Sequence, residues 1–154
     1  MHFNIYIPNE EAMLECGARL SKYIVAPTIV FLRGGLGAGK TTFTRGFLRG
    51  LGYVGHVKSP TYTIVESYEL DNITVFHFDF YRVKDPLELE YLGIEDYFSK
   101  NSICIIEWPD AVLQMLPNPD LIYDFKTEDS GRHISIEAPT ITGKNVLGHL
   151  PYVE

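Results

Sequence analysis

A chain of 154 residues, 45% hydrophobic and 21% charged, is long enough to bury a core and too apolar to be a disordered segment. Its formal net charge of −7 and pI near 5.2 argue against a protein that grips nucleic acid unaided, since that grip is built on Lys and Arg neutralising phosphates. DNA is therefore not an expected partner.

The opening residues, MHFNIYIPNEE, lack the basic start and continuous apolar run of a secretory leader. Residues 3–7 read as a short strand. Asn9 stands where a helix N-cap belongs, and Met13, Cys16, Leu20 and Ile24 follow at helical spacing. The apolar stretch 24–32 is broken by Pro27 and falls well short of the ~20 residues that a bilayer crossing needs. No membrane partner is expected, and the chain is expected in the cytoplasm. Cys16 and Cys104 sit in apolar surroundings without CxxC spacing, as buried reduced thiols do.

Residues 28–33 are a continuous apolar run ending at glycines, the mark of a strand buried in a parallel sheet. From Lys40 onward, Phe43, Phe47, Leu48 and Leu51 mark one helical face, with Arg45 and Arg49 on another. Residues 61–69 and 73–80 read as two strands joined by a turn at Asp71 and Asn72. Asp85, Pro86 and Glu88 together form a helix-start signal, and Gly93 interrupts that helix after Leu92. SICIIEWPD (102–110) is an apolar strand ending in charge. Residues 120–126 and 132–138 read as a hairpin around EDSG, with Ile134, Ile136 and Ala138 alternating. The tail 140–154 carries no clear pattern. With no repeat or linker in view, one domain over 1–154 is expected, its core spanning about 5–138.

The strongest motif is GGLGAGKTT (34–42), which places Gly34, Gly39, Lys40 and Thr41 at phosphate-loop spacing between a strand and an amphipathic helix. Glycines let successive N–H groups curl around a phosphate, and the helix aims its positive end at the same anion. Gly37, Ala38, Gly39, Lys40, Thr41 and Thr42 are thus the expected nucleotide-binding residues. Lys40 supplies a point charge to the outer phosphates, and the Thr41 hydroxyl suits Mg2+. A plain glycine-rich turn with a solvated lysine would need neither the strand before it nor the helix after it. The fold class follows as α/β: a P-loop NTPase-like sandwich with a mixed, mostly parallel central sheet flanked by helices.

Such a loop needs a carboxylate near the metal, and two strands offer one: Asp79 ends VFHF and Glu107 ends ICII. One could hold Mg2+ while the other orients or deprotonates the attacking water. In SPTYT (59–63), Thr61 sits where a switch threonine could sense a terminal phosphate, although a proline turn entering a strand explains the stretch equally simply. Trp108 reads as core or as site, and His77 shares a strand face with Asp79 and could support it. The histidines show no HxH or HExxH spacing, so a histidine metal site is not expected.

The order of GGLGAGKTT, SPTYTIVESY (59–68), FHFDFYR (76–82), LELEYLGIEDYF (87–98) and IIEWPD (105–110) resembles the bacterial TsaE (YjeE) family. The resemblance implies a weak, Mg2+-dependent ATPase releasing ADP in the pathway that makes threonylcarbamoyladenosine in tRNA. Work with TsaD and TsaB is implied, with tRNA met weakly or only through that complex. It assigns Glu107, with Thr41, to the metal side, Asp79 to catalysis and Thr61 to the switch. Trp108 becomes the tryptophan beside the metal-site acid, and Arg132 a basic residue near the nucleotide. Gly35 departs from the acidic residue common at that position, which leaves the proposed ligands in place. The alternative is a P-loop small-molecule or nucleoside kinase, but the arginine-bearing lid of such kinases has no counterpart, since no arginine lies between Arg82 and Arg132. Guanine-specific NKxD is also missing. The acidic residues Glu88, Glu90, Glu95 and Asp96 read as a solvated face.

Overall fold

The strand expected at 28–33 lies at the middle of the molecule. In the computed structural model, which describes residues 2–150, it runs Thr28–Gly34 as β2, hydrogen-bonded in parallel to a strand on each side. Burial on both faces explains why its sequence shows no polar alternation. The strands are β1 (His2–Ile7), β2, β3 (Val65–Glu69), β4 (Thr74–Asp79), β5 (Ser102–Glu107), β6 (Leu121–Glu128) and β7 (Gly131–Glu137). They form one sheet in the order β1-β7-β6-β2-β5-β4-β3. The centre, β6-β2-β5-β4, is parallel, and the outer pairs β1–β7, β6–β7 and β3–β4 are antiparallel.

Helices cover both faces. On one lie α1 (Glu10–Ser21) and α2 (Lys40–Gly50), whose Met13, Cys16, Leu20, Phe43, Phe47 and Leu48 pack onto the sheet. On the other, α3 (Leu87–Leu92) and two 3₁₀ segments, Ile94–Tyr97 and Pro109–Met115, cover a second core around Phe31, Phe78, Cys104 and Ile106. Asn9 caps α1 as expected, accepting from the Ala12 N–H at 2.9 Å.

α1 and α2 touch backbone to backbone. A Cβ at Gly17 would lie 2.1 Å from the Phe43 carbonyl oxygen, and one at Gly46 would lie 2.0 Å from that of Leu14. Only glycine permits this approach, and it fixes the start of α2 above the sheet.

Three expectations need correction. Residues 61–64 form a turn rather than the start of a strand: the Ile64 N–H donates to the Pro60 carbonyl at 2.8 Å, and Ile64 itself has φ 72°. The alternation in TYTIV imitates a strand, but β3 begins only at Val65. Residues 140–150 are not featureless either. Thr140 caps α4 (Ile141–Leu147), accepting from the Gly143 N–H at 3.0 Å, and Val146, Leu147 and Leu150 join the larger core. Residues 151–154 of the expected tail, like Met1, lie outside the described residues. The expected cap at Asp85 acts one residue further out, its carboxylate accepting from the Leu87 N–H at 3.0 Å.

Among the described residues, no helix is long and apolar enough to cross a membrane. Both cysteines are buried, and burial pushes the Cys104 thiol up to about 12. Glu88, Glu90, Glu95 and Asp96 are exposed, as expected of a solvated face.

Candidate active site

Gly34–Gly39 joins the end of β2 to the start of α2 at the edge of the sheet where the parallel strands finish. Gly39, at φ 104°, is the N-cap residue of α2, and no side chain caps the helix. The positive end of α2 is thus left open to a ligand. Gly34 has φ 141°, and a Cβ there would fall 2.5 Å from the Phe125 carbonyl oxygen. A Cβ on Gly35 would meet nothing, so sterics do not require glycine at the position where the sequence departs from the family pattern.

β4 and β5 run parallel, and their last residues, Asp79 and Glu107, are direct register partners. Both are nearly buried, at 6% and 4% exposure, and both face the α2 side. Lys40 lies over them at 4% exposure, its ammonium donating to the Gly34 carbonyl and, at 3.4 Å, to that of Gly35. The same nitrogen sits 4.1 Å from the centroid of the Trp108 ring. Trp108 reaches that place through a left-handed backbone (φ 57°), rare for a bulky residue, which turns the chain from β5 into the 3₁₀ segment. Its ring also packs on Tyr81 at 4.8 Å.

Burial sets the charges here. It pulls the Lys40 ammonium below its ordinary 10.5, against the opposing attraction of Glu107 and Asp79. Asp79 is raised above its ordinary 3.8, first by burial and also by Glu107. The Tyr81 N–H, donating to Oδ1 at 2.9 Å, and the neighbouring His77 and Lys40 pull the other way.

The turn at 60–64 carries Thr61 to Asp79, where its hydroxyl donates to Oδ2 at 3.4 Å and lies 2.8 Å from the Ser59 hydroxyl. A cleft of about 230 Å³ is lined by Gly37, Ala38, Gly39, Lys40, Thr41 and Thr42 together with Thr61, Asp79, Glu107 and Trp108. Ten of the eleven residues expected from the sequence therefore share one cleft. Arg132 is the exception: it is the second residue of β7, on the far side of the loop, donating to the Gly37 carbonyl at 3.0 Å. There it lines a second cleft of about 220 Å³ with Asn9, Met13, Gly37, Thr42 and Ser130.

The family model for the threonylcarbamoyl adenosine biosynthesis protein TsaE matches residues 7–134. The chain belongs to the TsaE family. A relative from Haemophilus influenzae, named tRNA threonylcarbamoyladenosine biosynthesis protein TsaE, is 45% identical over 147 residues, covering 92% of this chain and 93% of its own. The TsaE of Bacillus subtilis is 39% identical over 123 residues, 79% of this chain and 77% of its own. Among solved structures, the crystal structure of Bacillus subtilis YdiB superposes with a TM-score of 0.82 at 30% identity, covering 97% of this chain and 94% of that one. Membership of the TsaE family accords with the nucleotide-binding P-loop at Gly34–Thr41.

Within this TsaE-family site the sequence missed the partner of His77. Its imidazole meets Glu107 rather than Asp79, with Nε2 2.6 Å from Oε2. The i, i+2 spacing from Asp79 was visible, but the diagonal across β4 and β5 depends on register. Arg82, stacked over Tyr62 at 4.4 Å beside the Thr61 turn, was also missed. Arg45 and Arg49, on the other face of α2, are used internally. Arg49 donates to the Tyr53 and Gly55 carbonyls at 3.0 and 2.6 Å, and Arg45 lies 3.9 Å from Glu10.

Proposed function

We propose that this chain binds ATP with Mg2+ and hydrolyses it slowly to ADP and phosphate, as an accessory protein for threonylcarbamoylation of adenosine 37 in tRNA. It does so together with TsaD and TsaB. The observation that carries the ATPase reading is the pairing of Asp79 and Glu107 at adjacent strand ends beneath Lys40 and the uncapped start of α2. The tRNA reading rests on family membership and the names of the relatives.

The donor set fits Mg2+. Thr41, Asp79 and Glu107 line one cleft and offer only oxygen atoms, which a hard cation prefers, while phosphate oxygens would complete the set. Thr41 and Glu107 would hold the ion. Bound there, Mg2+ would offset phosphate charge as the terminal phosphoryl group departs.

The protein's own part is placement. Loop N–H groups and the α2 terminus cradle the phosphates, and Lys40 exchanges the Gly34 carbonyl for a phosphate oxygen. Asp79, whose carboxylate burial makes a stronger base, receives the proton of the attacking water, and Thr61 keeps Oδ2 oriented. Arg132, fixed on Gly37, steadies the loop between the phosphate cleft and the second cleft, which suits the nucleoside. The whole chain acts as one ATPase domain in the cytoplasm.

Calorimetric titration of ATP, with Mg2+ and with chelator, tests the site. Micromolar-range binding strengthened by Mg2+ and nearly lost in Lys40→Ala is expected, at roughly the 1 μM–1 mM scale usual for enzyme substrates. Unchanged affinity in Lys40→Ala would refute the assignment.

A further inference from the structure

His77 is fully buried on β4, on the sheet face that carries Val75, Ile103 and Ile105 of the larger core. A polar ring in such surroundings costs stability unless both nitrogens find partners. One does: Nε2 lies 2.6 Å from Glu107 Oε2. The other, Nδ1, is buried with no hydrogen-bond partner. An apolar side chain of similar volume would fill this space without that penalty, so packing alone does not account for histidine here. Its effect falls on Glu107. An ionised carboxylate only accepts, which puts the hydrogen on Nε2 and commits Oε2 to His77.

We propose that His77 is the positioning residue for Glu107, holding Oε2 from beneath so that Oε1 is the oxygen presented to the metal side of the cleft. This rests on the Mg2+-ATP reading of the site. Three features support it. The imidazole and Glu107 are anchored on adjacent strands, β4 and β5, whose register fixes their separation. Glu107 at 4% exposure has little water to orient it otherwise. Lastly, Lys40, the nearest cation in the cleft, is engaged with the loop carbonyls and Trp108, so Glu107 depends on His77 for a fixed rotamer. Partners that orient metal ligands typically change metal affinity by 10–100-fold when removed.

The test compares His77→Phe, His77→Met and His77→Gln with the parent, reading the Mg2+ concentration that half-saturates the tightening of ATP binding. His77→Phe and His77→Met remove the donor and keep apolar bulk, and Met adapts where Phe does not fit. Gln can place an amide N–H near the position of Nε2. Expected are variants that still melt cooperatively, ATP affinity in chelator within about 2-fold, and a Mg2+ midpoint raised about 10-fold or more, largely restored by Gln. In a Glu107→Gln background the His77 substitutions should add no further shift. A parent dependence on Mg2+ that survives unchanged in the Phe and Met variants overturns the positioning role alone. No Mg2+ dependence in the parent overturns the metal reading, and the role of His77 with it.

Discussion

The Lys40 ammonium rests 4.1 Å from the centre of the Trp108 ring while donating to the carbonyls of Gly34 and Gly35. A cation held by neutral carbonyls and a π face, above two carboxylates, has a stronger partner available in a phosphate. Saturating ATP is therefore expected to draw Lys40 off the ring. Trp108 is the only tryptophan in the chain, so its emission reports the move directly. A titration should change that emission saturably, and Lys40→Met should alter the starting emission and remove most of the response. Flat emission in the parent at concentrations where calorimetry shows binding would contradict this.

Asp79 predicts a pH signature in the metal-free protein. Burial raises its carboxyl above the ordinary 3.8, so the native chain keeps a proton that the unfolded chain has already released. Between 3.8 and the raised value the native state binds more protons, and stability falls as pH rises. Above that window the desolvated carboxylate remains a constant cost. Asp79→Asn has no charge to desolvate, and its amide oxygen can still accept from Tyr81. It should melt higher than the parent at pH 7 in chelator, with the gap narrowing as pH falls toward 3.8. Its ATP turnover should drop by roughly 10²–10⁴-fold, the usual contribution of a positioned base. Melting scans across pH and one turnover assay check both halves.

Gly46→Ala should destabilise the whole chain. The added methyl would meet the Leu14 backbone, with its oxygen 2.0 Å away, where no flexible side chain can yield. Overpacking of this kind costs about 1–3 kcal/mol, readable as a lower urea midpoint. Because α2 carries Lys40, Thr41 and Thr42, ATP affinity should fall with it, in contrast to an alanine at the exposed Gly35.

Much of this site could be read along the chain because its parts announce themselves locally. A loop that must turn at Gly34 and Gly39 needs glycine whatever surrounds it, and Asp79 and Glu107 interrupt apolar runs at the strand ends. What stayed hidden depends on distant partners. The bond from His77 to Glu107 requires β4 and β5 to be in register, and the reach of Arg132 to Gly37 spans 95 residues. The strand wrongly expected from residue 61 fails at Ile64, where the β-branched residue most suited to a strand adopts a left-handed conformation instead. α4 escaped notice because one Thr140 cap and a few apolar residues give too short a pattern. Its stability comes from docking on the core and from the bond of Thr140 to Asp120 at 2.6 Å.

Arg132→Ala should separate binding from chemistry. The guanidinium holds Gly37 at 3.0 Å and lies outside the carboxylate cleft, so its loss loosens the loop without touching Asp79. A charged hydrogen bond is worth about 1.5–3 kcal/mol, which predicts ATP binding weakened by at least ~10-fold. Turnover at saturating ATP should stay within about 2-fold of the parent, a split in KM against kcat that steady-state kinetics would reveal.

The most direct test of the central claim is the rate of ATP hydrolysis by the purified chain, alone and with TsaD and TsaB. Slow Mg2+-dependent turnover alone is expected, rising strongly when the pair is added and falling roughly 10²–10⁴-fold in both cases with Asp79→Asn. Turnover indifferent to the pair would contradict the assignment to tRNA threonylcarbamoylation. Failure to hydrolyse ATP under either condition would contradict the site itself.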